Sequence, residues 1–316
     1  MRIVFMGTPE FAVPSLNMLL DNGYDVVAVV SQPDRPKGRK KQLSPPPVKE
    51  AALQRGLPVL QPQRMRSPEA AEQIAELQPD LIVTAAYGQI LPKAVLELPR
   101  FGCINVHGSL LPKYRGGAPI QRAIMNGERV TGVTIMYMAE GLDTGDMISR
   151  VEVPIGPDDT SGTLFENLSR AGAELLLKTL PAIVDGTASA EPQNDDEATY
   201  APNLSREDER IDWTRSAFQI NCQVRGLSPM AGAFTYLNGE VFKVWACTIH
   251  SGKPASPERM TGEVLAADAG GILVQTGDGM LRLTLIQPAG KKQMPASEWV
   301  KGARISEGTV FGGEPS

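Results

Sequence analysis

Two short runs near the start, Arg2 to Gly7 (RIVFMG) and Asp25 to Ser31 (DVVAVVS), narrow the fold more than any other feature of the 316-residue chain. Neither alternates polar with apolar residues, so each must be covered on both faces, as the strands of a parallel sheet are. Between them a helix is expected up to about Leu20, with Thr8 as its cap and Pro9 at its first position. Strand, helix, strand in that order predicts an α/β fold: a Rossmann-like parallel sheet with helices on both faces. The pattern goes on through a brief strand at Pro58–Leu60, a helix capped by Ser67 and running to about Leu77, and a buried strand at Asp80–Ala86. Further strands follow at Cys103–His107 and Val133–Met138, with Met147–Val153 able to pair back as a hairpin. A helix is expected from Ala118 to about Met125, and a long one from Thr160 to about Val184.

The same opening excludes one common use of that fold. A dinucleotide needs a glycine-rich first turn so that backbone can approach the pyrophosphate, but here the turn reads MGTPEF, with Thr8 and Pro9 in the way. Ligands of open α/β sheets bind at the carboxyl ends of the strands. Three stretches are therefore of interest. After the second strand, Gln32 to Pro47 carries Arg35, Lys37, Arg39, Lys40 and Lys41 within seven residues and no acid among them. Its prolines and Gly38 argue against regular structure. It reads either as a solvated loop or as a phosphate-contacting one. After the Asp80–Ala86 strand come Tyr87, Gly88, Gln89, Ile90, Leu91 and Pro92.

The third stretch is Cys103 to Pro119, CINVHGSLLPKYRGGAP. Asn105 and His107 are two apart, so a strand projects both to one face. The chain has only two histidines, His107 and His250. Asp143, in the turn AEGLDTGD after the Val133–Met138 strand, can join them at the same rim. A carboxylate orients an imidazole and favours its protonated form, and an asparagine amide can donate to a developing oxyanion. Taken one at a time, these are ordinary hydrogen-bonding or turn residues; three suited types on strand ends of one sheet point to a site. No G-x-S-x-G or other nucleophile motif is nearby, and no H-E-x-x-H marks a catalytic zinc, so no metal is expected. The chemistry implied is acyl transfer through a tetrahedral intermediate, with the substrate's own nucleophile and no covalent enzyme intermediate. Cys103 shares the parity of Asn105 and His107 but has nothing to activate it, and is assigned to packing.

Net charge is −5, so a polyanionic partner would have to be held by a local patch. Three scattered cysteines without CxxC fit a reducing cytoplasm, and no apolar segment is long enough for a membrane span or signal peptide. Residues 1–189 are expected to form the catalytic domain. The polar, acidic, proline-broken stretch 190–205 is expected to be a linker, and 206–316 a second domain. There a helix near Arg215–Gly226 precedes short strands at Gly232–Leu237, Glu240–Ile249, Gly262–Ala267, Ile272–Thr276 and Met280–Gln287, with a hairpin at Asn238-Gly239 and a helix from about Ser297. Such spacing suggests a small OB-like β-barrel.

Asn105-x-His107 running into Ser109-Leu110-Leu111-Pro112, with Asp143 inside Gly141-Leu142-Asp143-Thr144-Gly145-Asp146, resembles the formyltransferase family that uses 10-formyltetrahydrofolate. The likeness extends from Met6-Gly7-Thr8-Pro9 to Gln287-Pro288-Ala289-Gly290-Lys291-Lys292. Within the family, His107-Gly108 in place of His-Pro, the basic loop and the second domain look like the branch that acts on aminoacylated tRNA. The resemblance implies formyl transfer to the α-amine of methionine esterified to initiator tRNA. Asn105 and His107 would hold the oxyanion, and Asp143 would orient His107 and assist proton removal. Ser109, Leu110, Leu111 and Pro112 would bound the folate, with Gln89, Ile90 and Leu91 near the pterin. Arg35, Lys37, Arg39, Lys40, Lys41, Lys291 and Lys292 would contact tRNA, with Lys243 able to extend the last two into a basic stripe. The alternative is a folate-dependent relative acting on an amino sugar nucleotide, which would not need the basic loop. A monomer is expected.

Overall fold

A computed structural model describes residues 1–37, 42–252, 259–303 and 305–313. By proximity of its Cα atoms the chain divides into two units. The first holds Met1–Pro119, Val130–Pro154 and Phe165–Pro202; the second holds Ile120–Arg129, Ile155–Leu164 and Asn203–Ser316. Most of the stretch expected to be a linker thus sorts with the first unit.

The chain runs β1 (Arg2–Gly7), α1 (Val13–Asp21), β2 (Asp25–Val30), β3 (Arg35–Lys37), β4 (Gln42–Ser44), α2 (Pro47–Gln54), β5 (Val59–Leu60), α3 (Pro68–Glu76) and β6 (Leu81–Ala85). It continues with α4 (Lys93–Leu96), β7 (Cys103–His107), α5 (Pro119–Met125), β8 (Val130–Tyr137), β9 (Met147–Pro154) and α6 (Ser161–Val184). The first unit is built on a seven-stranded sheet in the order β5-β2-β1-β6-β7-β8-β9. The first five strands are parallel, as expected. β8 and β9 run antiparallel to their neighbours, which makes the sheet mixed. For β9 the reason is length: the loop 138–146 is shorter than the dozen or so residues a parallel crossover needs.

The central strands are apolar on both sides because both sides are covered. Ile3, Val4, Phe5 and Met6 are all fully buried. Val4, Met6, Ile82 and Cys103 pack with Ala70 and Ile74 of α3 and Val95 of α4. On the other face α6 comes so close that a Cβ on Gly172 would stand 2.9 Å from Val106 Cγ1. Each such buried Val, Leu or Ile contributes about 1.5–3 kcal/mol. Cys103 is a packing residue, and burial pushes its thiol up to about 12.

Three local expectations fail. Thr8 does not cap α1, which begins later, behind a short 3₁₀ turn at Glu10–Ala12. Its hydroxyl instead donates to Tyr87 O (2.9 Å) and accepts the Gln32 N–H (3.3 Å), tying together the ends of β1, β2 and β6. The basic stretch is not wholly irregular: β3 and β4 form an antiparallel ribbon. Pro36 fits there because a two-stranded ribbon leaves an open edge that needs no N–H. α2, with proline in its first turn, was not expected at all.

The second unit holds α7 (Arg206–Glu209), α8 (Ala217–Leu227), β10 (Ala233–Leu237), β11 (Glu240–His250), β12 (Val264–Asp268), β13 (Gly271–Gln275), β14 (Met280–Gln287), β15 (Met294–Pro295) and α9 (Ala296–Trp299). A capping box between Ser216 and Gln219 starts α8. The strands are antiparallel in the order β10-β11-β14-β13-β12, with β15 against β14. Among the described residues β10 and β12 end that path. Asn238 and Gly239 both take positive φ (52° and 77°), as a type I′ hairpin turn requires. The core joins Ile220, Val224 and Leu227 to Phe242, Val244, Leu281 and Leu283.

Candidate active site

Asn105 and His107 stand on one face at the carboxyl end of β7, which runs between β6 and β8. The Thr84 hydroxyl of β6 donates to Asn105 Oδ1 at 2.8 Å. With its oxygen occupied, the half-buried amide has both N–H groups left for a ligand. Thr84 itself is buried, so this support is shielded from water.

His107 is also buried. Its Nε2 lies 3.0 Å from the carbonyl of Tyr114. A carbonyl only accepts, so the ring carries a proton on Nε2. The other ring nitrogen, Nδ1, faces Asp143 Oδ2 at 3.7 Å. That is an ion-pair distance and too long for a hydrogen bond. Asp143 Oδ2 is instead anchored by the Gly116 N–H at 2.8 Å. The carboxylate and Nδ1 thus face each other without a direct hydrogen bond.

The rim is held in uncommon backbone conformations. Ala86, Tyr114 and Asp143 take positive φ (46°, 62° and 51°), at a cost of order 1–3 kcal/mol each. Glycine is needed beside them. A Cβ on Gly145 would fall 1.8 Å from Tyr137 O.

The turn after β7 is used largely from within. Ser109 is buried, and its hydroxyl donates to Lys113 O at 2.6 Å. Leu111 is buried with Met136 and Met147. Leu110 and Pro112 remain partly accessible. Gln89 accepts the Met65 N–H (2.7 Å) and donates to Pro62 O (3.2 Å), while Leu91 packs in the core beside α3. Ile90 is exposed. Of the seven residues expected around the folate, Ile90 is exposed, Leu110, Pro112 and Gln89 are half-buried, and Leu91, Ser109 and Leu111 are buried.

Arg35 is exposed on β3, and the backbone of Lys37 lies on the same strand; Arg39, Lys40 and Lys41 lie outside the described residues. The root of this ribbon is braced: Lys49 bonds Asp34 at 2.8 Å, and Gln61 Nε2 donates to Asp34 Oδ1 (2.7 Å) and Gln32 O (2.9 Å). The Gln61 and Lys49 bonds hold the Asp34 carboxyl below its usual range. In the second unit Lys291 and Lys292 are exposed beyond β14. Lys243 is half-buried, donates to Ala231 O at 2.5 Å and lies 5.2 Å from the Trp245 ring, so it extends no stripe.

Sequence reasoning missed Thr84, Tyr114, Arg115, Gly116 and Gln193. Gln193 Nε2 donates to Asp143 O and Gly145 O, both at 2.8 Å. Nothing local marks Gln193, because its partners lie about fifty residues away. Arg115 did carry a signal: an arginine between an aromatic residue and two glycines, in a loop leaving the key strand.

Among the described residues no group of His, Cys, Asp and Glu is arranged to hold a metal ion. A mixed α/β sheet that presents an oriented amide, an imidazole and a carboxylate at its strand ends fits a group transferase. Residues 1–180 match the formyl transferase family, and residues 203–304 match the formyl transferase C-terminal domain. The methionyl-tRNA formyltransferases of Bacillus licheniformis and Bacillus subtilis are each 55% identical to the chain over 313 residues, 98% of this chain and 98% of theirs. The chain belongs to the formyl transferase family, among the methionyl-tRNA formyltransferases. Among solved structures, the sugar 3N-formyl transferase WlaRD, crystallised with dTDP and 5-N-formyl-THF, aligns with TM-score 0.66 at 20% identity over 92% of this chain and 99% of its own. HypX from Aquifex aeolicus in complex with tetrahydrofolic acid gives TM-score 0.65 at 19% identity; this chain spans 98% of itself but about half of HypX (51%). These two likenesses are of fold.

Proposed function

We propose that the chain transfers the formyl group of 10-formyltetrahydrofolate to the α-amino group of methionine esterified to initiator tRNA, giving N-formylmethionyl-tRNA for translation initiation. The observation that carries this reading is 55% identity, over nearly the whole of both chains, to curated methionyl-tRNA formyltransferases. The site's own geometry fits the chemistry.

The amine attacks the formyl carbon, a C–N bond forms, and the carbonyl oxygen becomes an oxyanion. The Asn105 amide, turned by Thr84 so that its N–H groups are free, donates to that oxygen. An α-ammonium bridging His107 Nδ1 and Asp143 Oδ2 from one side would be within hydrogen-bond reach of both, and the carboxylate attracts it. Nδ1 is the acceptor for the proton that must leave before attack. Once protonated, it becomes a second donor toward the oxyanion. Collapse of the intermediate breaks the bond to the donor's nitrogen, which takes up the second proton shed by the attacking nitrogen. Esterification already lowers the amine's pKa toward neutrality, so no strong base is required.

Ile90, Leu110 and Pro112 are the side chains we assign to folate contact, on walls built by Gln89, Leu91, Ser109 and Leu111. Arg35, Lys37, Arg39, Lys40 and Lys41 would meet the acceptor stem, with Lys291 and Lys292 contributing from the second unit. Among the described residues no helix is long and apolar enough to cross a membrane, and all three cysteines are free. We take the chain to act in the cytoplasm as a monomer. The test is to incubate the protein with 10-formyltetrahydrofolate and methionyl-tRNA and follow formyl on the aminoacyl group. Transfer that His107→Ala abolishes is expected. Transfer to an amino sugar nucleotide with none to methionyl-tRNA refutes the acceptor.

A further inference from the structure

Residues 191–201, polar and without regular periodicity, cross the site and are pinned at both ends. Glu191 exchanges two backbone hydrogen bonds with Met147, where β9 begins (both 2.8 Å). At the other end the Arg115 N–H donates to Thr199 O (2.8 Å) and the Ala201 N–H to Arg115 O (2.7 Å). Thr199 Oγ1 also accepts the Tyr114 N–H at 2.8 Å. The approach is so close that a Cβ on Gly116 would stand 2.8 Å from Ala201 O.

Between the pins lies Gln193. Its Nε2 bonds both Asp143 O and Gly145 O, and its Oε1 accepts from Arg115 Nε (3.0 Å) and Nη2 (2.9 Å). One amide therefore joins the turn that carries Asp143 to the loop that carries Tyr114 and Gly116. Those two loop residues fix the site directly: Tyr114 O holds His107 Nε2, and the Gly116 N–H holds Asp143 Oδ2. Arg115 is buried, whereas the side chain of its ionic partner Asp195 is 82% exposed. Water and salt screen that ion pair, whereas the Gln193 amide bonds both Arg115 and the turn of Asp143. Asp143 also sits at positive φ, a conformation that persists only where its surroundings impose it.

We propose that Gln193 is a positioning residue for the formyl transfer, and that the segment 191–201 is a strap that sets the His107–Asp143 separation. It holds the Asp143 turn by its carbonyls and the Tyr114–Gly116 loop through Arg115. The proposal rests on the assignment of His107 and Asp143 as reacting groups. It predicts that losing the two N–H donors of Gln193 affects turnover more than binding.

Two variants separate positioning from folding. Gln193→Ala removes the clamp. Gln193→Glu keeps the acceptor for Arg115, and adds charge to it, but lacks the N–H donors. Wild type and variants are compared for kcat and for KM toward 10-formyltetrahydrofolate and methionyl-tRNA, and for Tm. The substrate-free protein is also labelled with ¹⁵N-histidine. With two histidines, a His250→Gln variant assigns the His107 ring resonances. Both variants should lower kcat 10- to 100-fold, leave each KM within twofold and move the His107 resonances, and Gln193→Glu, which keeps the bonds to Arg115, should lose no more Tm than Gln193→Ala. Unchanged kcat with unmoved resonances overturns the proposal. So does a raised KM at unchanged kcat, which makes the strap a binding wall, or a kcat loss in Gln193→Ala that Gln193→Glu restores. A wild type that never formylates methionyl-tRNA overturns the functional reading instead, and the ring resonances then decide the strap alone.

Discussion

Thr84→Val isolates how the Asn105 amide is aimed. The substitution keeps the shape of a buried side chain, so no cavity opens and packing on β6 is retained. It removes the hydroxyl that donates to Asn105 Oδ1 at 2.8 Å and lies 3.1 Å from Ile104 O. The lost hydrogen bond, with a half-buried Oδ1 left unpaired, should cost about 1–2 kcal/mol of stability. For a unit of this size that lowers Tm by roughly 2–8 °C. The catalytic effect is separate. Losing an oxyanion donor outright costs about 10²–10³ in kcat. Here the donor survives but loses its orientation, so kcat should fall about tenfold with both KM values held. Thr84→Ser, which restores the hydroxyl, should recover most of that. Steady-state formylation assays and thermal unfolding on the three proteins suffice. Wild-type kcat in Thr84→Val, or equal loss in Thr84→Ser, refutes the claim that Thr84 aims the amide.

Asp143→Asn preserves the bond from Gly116 but removes the charge facing His107 Nδ1, and single-turnover formylation should slow by roughly 10²–10⁴-fold. Gly145→Ala puts a Cβ 1.8 Å from Tyr137 O and should cost about 1–3 kcal/mol or more in denaturant unfolding, whereas Gly186→Ala, with open space around it and φ 69°, should cost only about 1. Burial pushes Cys103 and Cys247 up to about 12 from 9, and Tyr87 up to about 12 from 10, so these groups stay neutral when folded at pH values where the unfolded chain ionises. Their contribution is full below pH 9 and falls as pH rises from 9 toward 12, at roughly 1.4 kcal/mol per pH unit per thiol; a flat stability profile from pH 9 to 11 would contradict this. Neutralising Arg35, Lys37, Arg39, Lys40 and Lys41 together should weaken binding of methionyl-tRNA. It should also flatten the dependence of affinity on log salt, by up to about 0.7–0.9 for each tRNA phosphate that these side chains neutralise, measured by titration at several ionic strengths.

Much of the molecule could be read in chain order, because its signals act over a few residues. Doubly apolar runs became β1, β2 and β6; Ser67 caps α3 through the Ala70 N–H; Asn238-Gly239 makes the hairpin between β10 and β11. The two-residue spacing of Asn105 and His107 sufficed to put them on one face. Local strength also misled: Thr8 before a proline looks like a cap, yet partners from β2 and β6 outcompete that role.

What the chain determined by itself is therefore its elements and the residue types at their ends. Only the tertiary structure decided how those ends meet: that β8 runs against β7, that His107 turns Nε2 to Tyr114 and Nδ1 to Asp143, and that Thr84 aims Asn105. Gln193 is the extreme case. It sits in a polar stretch with no periodicity, and its meaning comes wholly from Arg115, Asp143 and Gly145, between 48 and 78 residues away. A pattern of propensities carries no information about such a pair, since what brings it together is the packing of the sheet between them.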